Sequence, residues 1–238
     1  MALSFKSAAF PLALALSLSF SGTAAAAALT ENFDQGVPAE WTVKNLSTSA
    51  GSTSWFQGNQ DIFTAQSGAA NTYLAANFNS GADYSNLSTW LILPTSSYHN
   101  GDTLSFFTRT SVLDSLADNL EVRFSQVGGT DVGASDNSVG TFTTLLLAIN
   151  PNLQTGGYPA EWTQYSVTLD GLAGATTGAF AFRYAVTDSG VLGNNGDYIG
   201  IDTVQITAVP EAETWLMMGA GLGLIGWMRK RTSRAAQA

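Results

Sequence analysis

The sequence contains no cysteine, and only one of its 238 residues is a histidine. Disulfide bonds and thiol chemistry are therefore excluded, so the fold must be held by its apolar core or by a bound metal. The G-x-S-x-G, H-E-x-x-H and P-loop motifs are absent as well, and no catalytic residue is assigned. The single histidine, His99, lies in "SSYHNGDT", whose Asn-Gly predicts a hairpin turn.

Basic residues are also scarce, at nine lysines and arginines against eighteen acids. Five of the nine lie near the ends of the chain, at Lys6 and after Met228. The segment 29–208 keeps four basic and sixteen acidic residues, a net charge of −12. Such a surface repels nucleic acid and anionic membranes, so no nucleic-acid partner is expected. The acids suit either solubility or a divalent cation.

The N-terminus has the three regions of a secretory signal peptide. Lys6 is followed by an apolar run from Ala8 to Phe20 and then by small residues that offer overlapping A-x-A cleavage sites up to Ala28. The pattern predicts a signal peptide over 1–28 and export through the inner membrane.

The C-terminus ends in a short apolar run followed by a basic cluster. Residues 214–228 are uncharged, and Arg229, Lys230 and Arg231 follow them. A helix over this run would be about 23 Å long against a hydrocarbon core of about 30 Å, which makes it a marginal transmembrane helix. The basic residues would stay on the cytoplasmic side and leave the body of the protein outside.

Between these ends the sequence is typical of an all-β protein. Short alternating or β-branched and aromatic runs recur between Gly, Asn, Asp and Ser clusters, and helical signatures are scarce. This pattern predicts an antiparallel β-sandwich over 29–208. The clearest strands are predicted at 72–78, 90–94, 102–112, 119–127, 162–169, 178–186 and 198–206.

The segment 128–157 is the least regular part of the predicted sandwich. It is predicted to form long surface loops around one apolar run, Phe142 to Ile149. Tyr158 follows in "TGGYPAEW" and is the aromatic residue expected to contact a ligand from a loop. The tryptophans at 41, 55, 90 and 162 lie in or beside strand-like runs, which favours a core role.

The C-terminal segment 209–238 resembles the PEP-CTERM sorting signal of exopolysaccharide-producing Gram-negative bacteria. Val209, Pro210 and Glu211 match its Val-Pro-Glu core, the apolar run its membrane helix, and Arg229, Lys230 and Arg231 its basic stop, whereas Ala212 replaces the second proline. The resemblance implies processing by an exosortase, with transient attachment to the inner membrane. An ordinary tail anchor is the alternative.

The segment 29–208 resembles the choice-of-anchor J domain, which is related to cleaved-adhesin and MAM-like jelly rolls. The matching pieces occur in order, and they include "ENFD" (31–34), "VPAEWT" (37–42), "TWLILP" (89–94), "GDTLSFFTR" (101–109) and "YIGIDTVQI" (198–206). The resemblance implies an antiparallel jelly-roll sandwich. The segment 128–157 matches none of the pieces.

A calcium site is expected where the first and last strands of such a jelly roll lie side by side. This arrangement would bring Glu31 and Asp34 toward Asp202, and calcium takes oxygen ligands. In the last strand, the alternation of apolar residues shifts by one position between Ile201 and Val204. This shift predicts a β-bulge, which would reorient side chains. In the alternative, these acids are solvated or cap turns. Asp131 and Asp136 form a weaker second set.

Two functions remain open at the level of the sequence. The first is a non-enzymatic adhesion or binding module at the cell surface or in the extracellular matrix, with exopolysaccharide or surface proteins as partners. The second is a polysaccharide hydrolase that uses paired loop carboxylates, although nothing in the sequence singles out a pair.

Overall fold

A computed structural model describes residues 29–111, 116–209, 218–225 and 227. This part of the chain is mostly β, and every strand pairing in it is antiparallel. The strands are β1 (Leu29–Glu31), β2 (Thr42–Asn45), β3 (Phe56–Gln57), β4 (Leu74–Asn77), β5 (Thr89–Ile92), β6 (Ser96–Tyr98), β7 (Thr103–Thr110), β8 (Leu120–Ser125), β9 (Thr144–Ile149), β10 (Thr163–Thr168), β11 (Thr176–Tyr184) and β12 (Tyr198–Thr207).

The strands form two six-stranded sheets. The first sheet has the order β10-β7-β12-β4-β3, and β1 pairs with β12 beyond the end of β4. The second has the order β2-β5-β11-β8-β9, and β6 pairs with β11 beyond the end of β5. The predicted antiparallel β-sandwich is confirmed.

The core lies between the two sheets and follows the alternation read from the sequence. In β8, Leu120, Val122 and Phe124 are buried in the main apolar cluster. The sheets meet at its centre, where the rings of Phe106 in β7 and Phe182 in β11 pack edge to face with centroids 4.9 Å apart. Apolar residues on alternate strand positions therefore account for the layered fold.

Each sheet is also covered on its outer face by a long loop. Over the first sheet, Phe63 from the loop 58–73 stacks on Tyr73 and meets Trp162 edge to face. Over the second sheet, Val132 and Phe142 from the loop 128–143 pack in a separate apolar cluster that includes Trp90, Ala179 and Ala181. In the segment 128–157, the first part thus covers the second sheet and the next part forms the edge strand β9.

The last strand contains the predicted bulge. The pairing of β12 with β7 shifts register between Asp202 and Gln205. Beyond this bulge β12 pairs with β1, and Glu31 lies opposite Val204. The side-by-side arrangement of the first and last strands is therefore confirmed.

The predicted signal peptide, 1–28, lies outside the described residues, as do Pro210, Glu211, Arg229, Lys230 and Arg231 of the predicted sorting signal. Residues 218–225 of the predicted transmembrane run are helical. Within the described residues, no helix is both long enough and apolar enough to cross a membrane. Val209, where the sorting signal is predicted to begin, donates its backbone N–H to Asp102 Oδ1 at 3.0 Å.

Candidate functional site

The bulge in β12 buries the carboxylate of Asp202. This residue is 0% exposed, and its Oδ2 accepts hydrogen bonds from the backbone N–H groups of Gln66 at 2.8 Å and Ser67 at 3.1 Å. Oδ1 accepts from the N–H of Thr203 at 2.6 Å. Burial raises the pKa of Asp202 to about 6, because the loss of hydration outweighs the hydrogen bonds that favour the ionised form.

Thr203, next to this carboxylate, and Phe33, in the turn after β1, have backbone conformations that side chains rarely adopt. Thr203 has φ 49° and Phe33 has φ 56°. A β-branched residue at positive φ is a conformational outlier, and such strain clusters at functional sites. The backbone strain therefore lies at the bulge and in the turn after β1.

The other two predicted calcium ligands lie around the same bulge. Glu31 Oε1 accepts the N–H of Phe33 at 2.6 Å, within its own turn. Asp34 is exposed, and a Cβ placed on Gly68 would lie 3.4 Å from its Oδ1. Since Gly68 follows the two residues that cap Asp202, Asp34 and Asp202 border one loop, whereas Glu31 lies opposite Val204 in the bulge.

These acids supply the oxygen donors that calcium takes, but they do not form a ligand set. Among the described residues, no three acidic or histidine side chains are grouped closely enough to hold a metal ion. Both oxygens of Asp202 already accept hydrogen bonds from the protein. The donor chemistry suits calcium, whereas coordination would require Glu31 and Asp34 to turn toward Asp202.

A charged network lies on the outer face of the second sheet. Glu121 Oε2 accepts from Arg123 Nε at 2.6 Å and from Arg183 Nη1 at 3.0 Å. Arg183 also donates through Nε to Ser88 Oγ at 3.0 Å and through Nη2 to the carbonyl of Asp136 in the covering loop. Burial raises the pKa of Glu121, but the two arginines outweigh this effect and the net shift is downward. Glu121 is therefore a carboxylate at neutral pH.

Beside this network lies a pocket of about 190 Å³. Its lining comes from five separate parts of the chain: 86 and 87, 119 and 121, 136 and 137, 151 and 153, and 183 with 185–187. No local motif marks these positions. The only indication in the sequence is that Glu121 and Arg123 alternate with the apolar residues of β8 and so should face outward. Asp136 was expected only as a weak ligand, and the structure places it in the wall of the pocket. Asp131 accepts the N–H of Gly133 at 2.9 Å and caps a turn.

Tyr158 is buried, and the surface exposure expected of it is wrong. Its side chain is 4% exposed and belongs to the main core cluster. Its hydroxyl is 2.7 Å from Thr108 Oγ1, which donates to the carbonyl of Gly200 at 2.6 Å. The loop turns the ring inward because Thr108 offers the hydroxyl a buried partner, so the ring cannot serve as a surface platform for a ligand.

The core role predicted for the tryptophans is confirmed for three of them. Trp41 and Trp55 are each 5% exposed and Trp90 is 0% exposed, whereas Trp162 is only partly buried.

The turn at His99 is also confirmed, since Asp102 donates its N–H to the carbonyl of His99 at 3.2 Å. It is not a hairpin turn, because β6 pairs with β11 rather than with β7.

Comparison with known proteins identifies the fold. No family model and no curated protein matches the sequence. Among solved structures, the K1 cleaved adhesin domain of Lys-gingipain from Porphyromonas gingivalis is similar, with a TM-score of 0.54, 23% identity, and coverage of 77% of this chain and 99% of that one. The K3 domain (TM-score 0.50, 21% identity, 76% and 98% coverage) and the K2 domain (0.50, 19%, 76% and 99%) are similar too. The chain therefore shares its β-sandwich fold with the cleaved adhesin domains.

Proposed function

We propose that this chain is an exported, non-enzymatic binding module that acts at the cell surface or in the extracellular matrix, built on the jelly-roll connectivity of choice-of-anchor J domains. The observation that carries the proposal is the match of its sandwich to nearly the full length of three domains described as cleaved adhesins. The acidic sandwich and the predicted signal peptide support it.

The test is binding without turnover. The purified full chain is incubated with exopolysaccharide and with whole cells of the producing strain, and both retention and the release of reducing ends are measured. We expect saturable retention and no release. Reproducible cleavage that is lost when Glu121 is replaced by Gln would reject the binding module in favour of a hydrolase.

Sorting by an exosortase is a separate part of the proposal. It is supported by the Val-Pro-Glu core at 209–211, the short apolar run and the basic residues 229–231. A strain that lacks its exosortase should accumulate a slightly larger precursor in the membrane fraction, and neutral residues at 229–231 should weaken membrane retention. Unchanged precursor size and location in that strain would contradict this route.

A structural calcium ion is the third part of the proposal. It is supported by the buried carboxylate of Asp202 and by the strained residues Phe33 and Thr203. Asp34 lies near Gly68 of the loop that caps Asp202, and Glu31 lies opposite Val204 in the bulge. When bound, the ion would supply positive charge to a desolvated carboxylate and connect the first and last strands.

A further inference from the structure

A cavity on the outer face of the first sheet, beside the loop 58–73, has an aromatic lining, and we call it the aromatic cleft. Phe56 from β3, Phe78 from the 3₁₀ turn that follows β4, and Tyr198 from the start of β12 line it. The loop contributes Ile62. The volume of the cleft is about 280 Å³, at the lower end of the range for ligand pockets, so it suits one or two rings and not a long chain.

Two apolar side chains of the aromatic cleft are not used by the core. Ile62 is 44% exposed, and Phe78 is partly exposed. Phe78 belongs to none of the three apolar clusters formed by the described residues. Scattered exposed apolar residues are ordinary, whereas several that border one cavity mark a ligand-binding groove.

Two asparagines in the lining have fixed amide orientations. Asn77 Oδ1 accepts from Thr53 Oγ1 at 2.9 Å and from the N–H of Asn79 at 3.1 Å, and Asn59 Oδ1 accepts the N–H of Asp61 at 3.0 Å. Neither NH2 group has an acceptor among the described residues, and that of Asn77 is accessible to solvent. Because the protein already uses both oxygens, the NH2 groups remain as donors for a ligand.

The wall that contains Asn59 is held in place by two tyrosines. Its backbone N–H donates to the hydroxyls of Tyr73 at 3.0 Å and Tyr198 at 3.1 Å, and the Tyr73 hydroxyl donates to its carbonyl at 2.8 Å. The two hydroxyls are 3.1 Å apart, and both rings are buried. The aromatic cleft is therefore formed before a ligand arrives, which lowers the cost of binding.

The charges around the aromatic cleft disfavour an anionic ligand. Asp197 is part of the lining, and Asp61 is exposed on the adjoining loop. Among the described residues no lysine or arginine lines the cleft, and Arg109, on the same face of the sheet, is ion-paired with Glu161 at 3.5 Å. An organic cation would leave the two amide donors without acceptors, whereas hydroxyl groups both accept and donate without charge.

We propose that the aromatic cleft binds a neutral sugar of one or two rings, at an end or a branch of a glycan. The NH2 groups of Asn59 and Asn77 donate to its hydroxyl oxygens, and its C–H face lies against Phe78 and Ile62. An apolar peptide side chain would cover the same apolar surface but would leave both amides without acceptors. This inference rests on the proposed function, because it specifies the ligand class and the site of the binding module.

The test begins with saturation-transfer NMR of the purified full chain, followed by calorimetric titration. The probes are neutral mono- and disaccharides of glucose, galactose, mannose and N-acetylglucosamine, together with glucuronic acid and choline. Phe78→Ala and Ile62→Ala remove the apolar surface. Asn59→Asp keeps an oxygen that accepts the N–H of Asp61 and replaces the NH2 donor.

Each site variant has a matched control. Val127→Ala, just after β8, and Leu145→Ala, in β9, remove exposed apolar side chains outside the aromatic cleft. Asn71→Asp adds the same charge as Asn59→Asp at an exposed position of the same loop that does not line the cleft. The melting temperature of every variant is measured to confirm folding, and if Phe78→Ala does not fold, the two exposed positions Ile62 and Asn59 decide the test.

We expect the site variants to weaken binding of the best neutral sugar by about tenfold and the controls to change it by less than about twofold. Binding of that sugar at full strength by the folded site variants would overturn the site. Wild-type chain that binds no neutral sugar, or that binds glucuronic acid or choline more tightly, would overturn the ligand class. In both cases, retention of the wild-type chain on cells or exopolysaccharide would leave the proposed function intact. Wild-type chain retained by neither would contradict the proposed function itself.

Discussion

The guanidinium carbon of Arg183 lies 5.1 Å from the centroid of the Trp90 ring. Both residues are buried, and Trp90 donates its indole N–H to the same Ser88 hydroxyl that Arg183 reaches. Through the carbonyl of Asp136, this stacked pair also attaches the covering loop to the second sheet. One cation therefore supports a core tryptophan, neutralises Glu121 and fixes a wall of the pocket.

Replacing Arg183 should destabilise the protein strongly. Arg183→Met leaves the carboxylate of Glu121 buried with Arg123 as its remaining described ion-pair partner, and removing one partner of a buried pair costs about 3–5 kcal/mol. We expect the free energy of unfolding to fall by about 3 kcal/mol in urea titrations. Arg183→Lys keeps the charge and should lose less. A loss under about 1 kcal/mol for Arg183→Met would show that the network contributes little.

Glu121 should make the protein sensitive to acid. Its folded-state pKa lies below the ordinary 4.5, so the ionised form is favoured by folding. The resulting stability is fully present above the unfolded pKa and is lost as pH falls through the folded value. Urea midpoints measured from pH 7 down to pH 3 should fall less steeply for Glu121→Gln than for the wild type. Parallel curves for the two proteins would contradict this assignment.

The alternation of side chains allowed much of the sandwich to be predicted. β8 shows its two faces in six residues, because Leu120 and Val122 alternate with Glu121 and Arg123. The bulge in β12 was also predictable, because the apolar parity changes between Ile201 and Val204 within one strand. Both inferences depend only on the period of two that a strand imposes.

The covering loops and the pocket could not be predicted in the same way. Ala179 and Ala181 are small residues on the outward parity of β11, which is also the pattern of a solvent-facing strand. They are buried because Phe142, far away in sequence, packs in the same cluster. The pocket beside Glu121 likewise depends on how β8 lies beside β11. These features depend on contacts between segments that are distant in the sequence, and the local hydrophobic periodicity does not predict such contacts.

Tyr158 should contribute to stability and not to ligand binding. Tyr158→Phe removes only the hydroxyl and its bond to Thr108, so we expect a loss of about 1 kcal/mol. Tyr158→Ala also opens a cavity in the core and should cost about 3–5 kcal/mol. Chemical denaturation gives both values. Weaker glycan or cell binding by Tyr158→Phe, at unchanged stability, would restore the ligand role.

Calcium should raise the melting temperature of the full chain through Asp202. A ligand that binds only the native state stabilises it by RT ln(1 + [L]/Kd), about 2.7 kcal/mol when calcium is at a hundred times Kd. For a domain of this size the corresponding shift is roughly 5–10 °C. The comparison is between melting curves in millimolar calcium and in chelator.

The variant Asp202→Asn removes the charge that a cation needs and keeps two of the three backbone hydrogen bonds to this side chain. The amide oxygen still accepts the N–H groups of Gln66 and Ser67, whereas the NH2 group replaces the oxygen that accepts from Thr203. We therefore expect Asp202→Asn to remain folded and to lose most of the calcium-dependent shift. Asp61→Asn, at an exposed position on the loop that precedes Gln66, should keep the shift. Identical wild-type melting curves in calcium and in chelator would contradict the calcium site. The buried carboxylate of Asp202 would then serve only to cap the loop at Gln66 and Ser67, and the acidic surface would serve solubility alone.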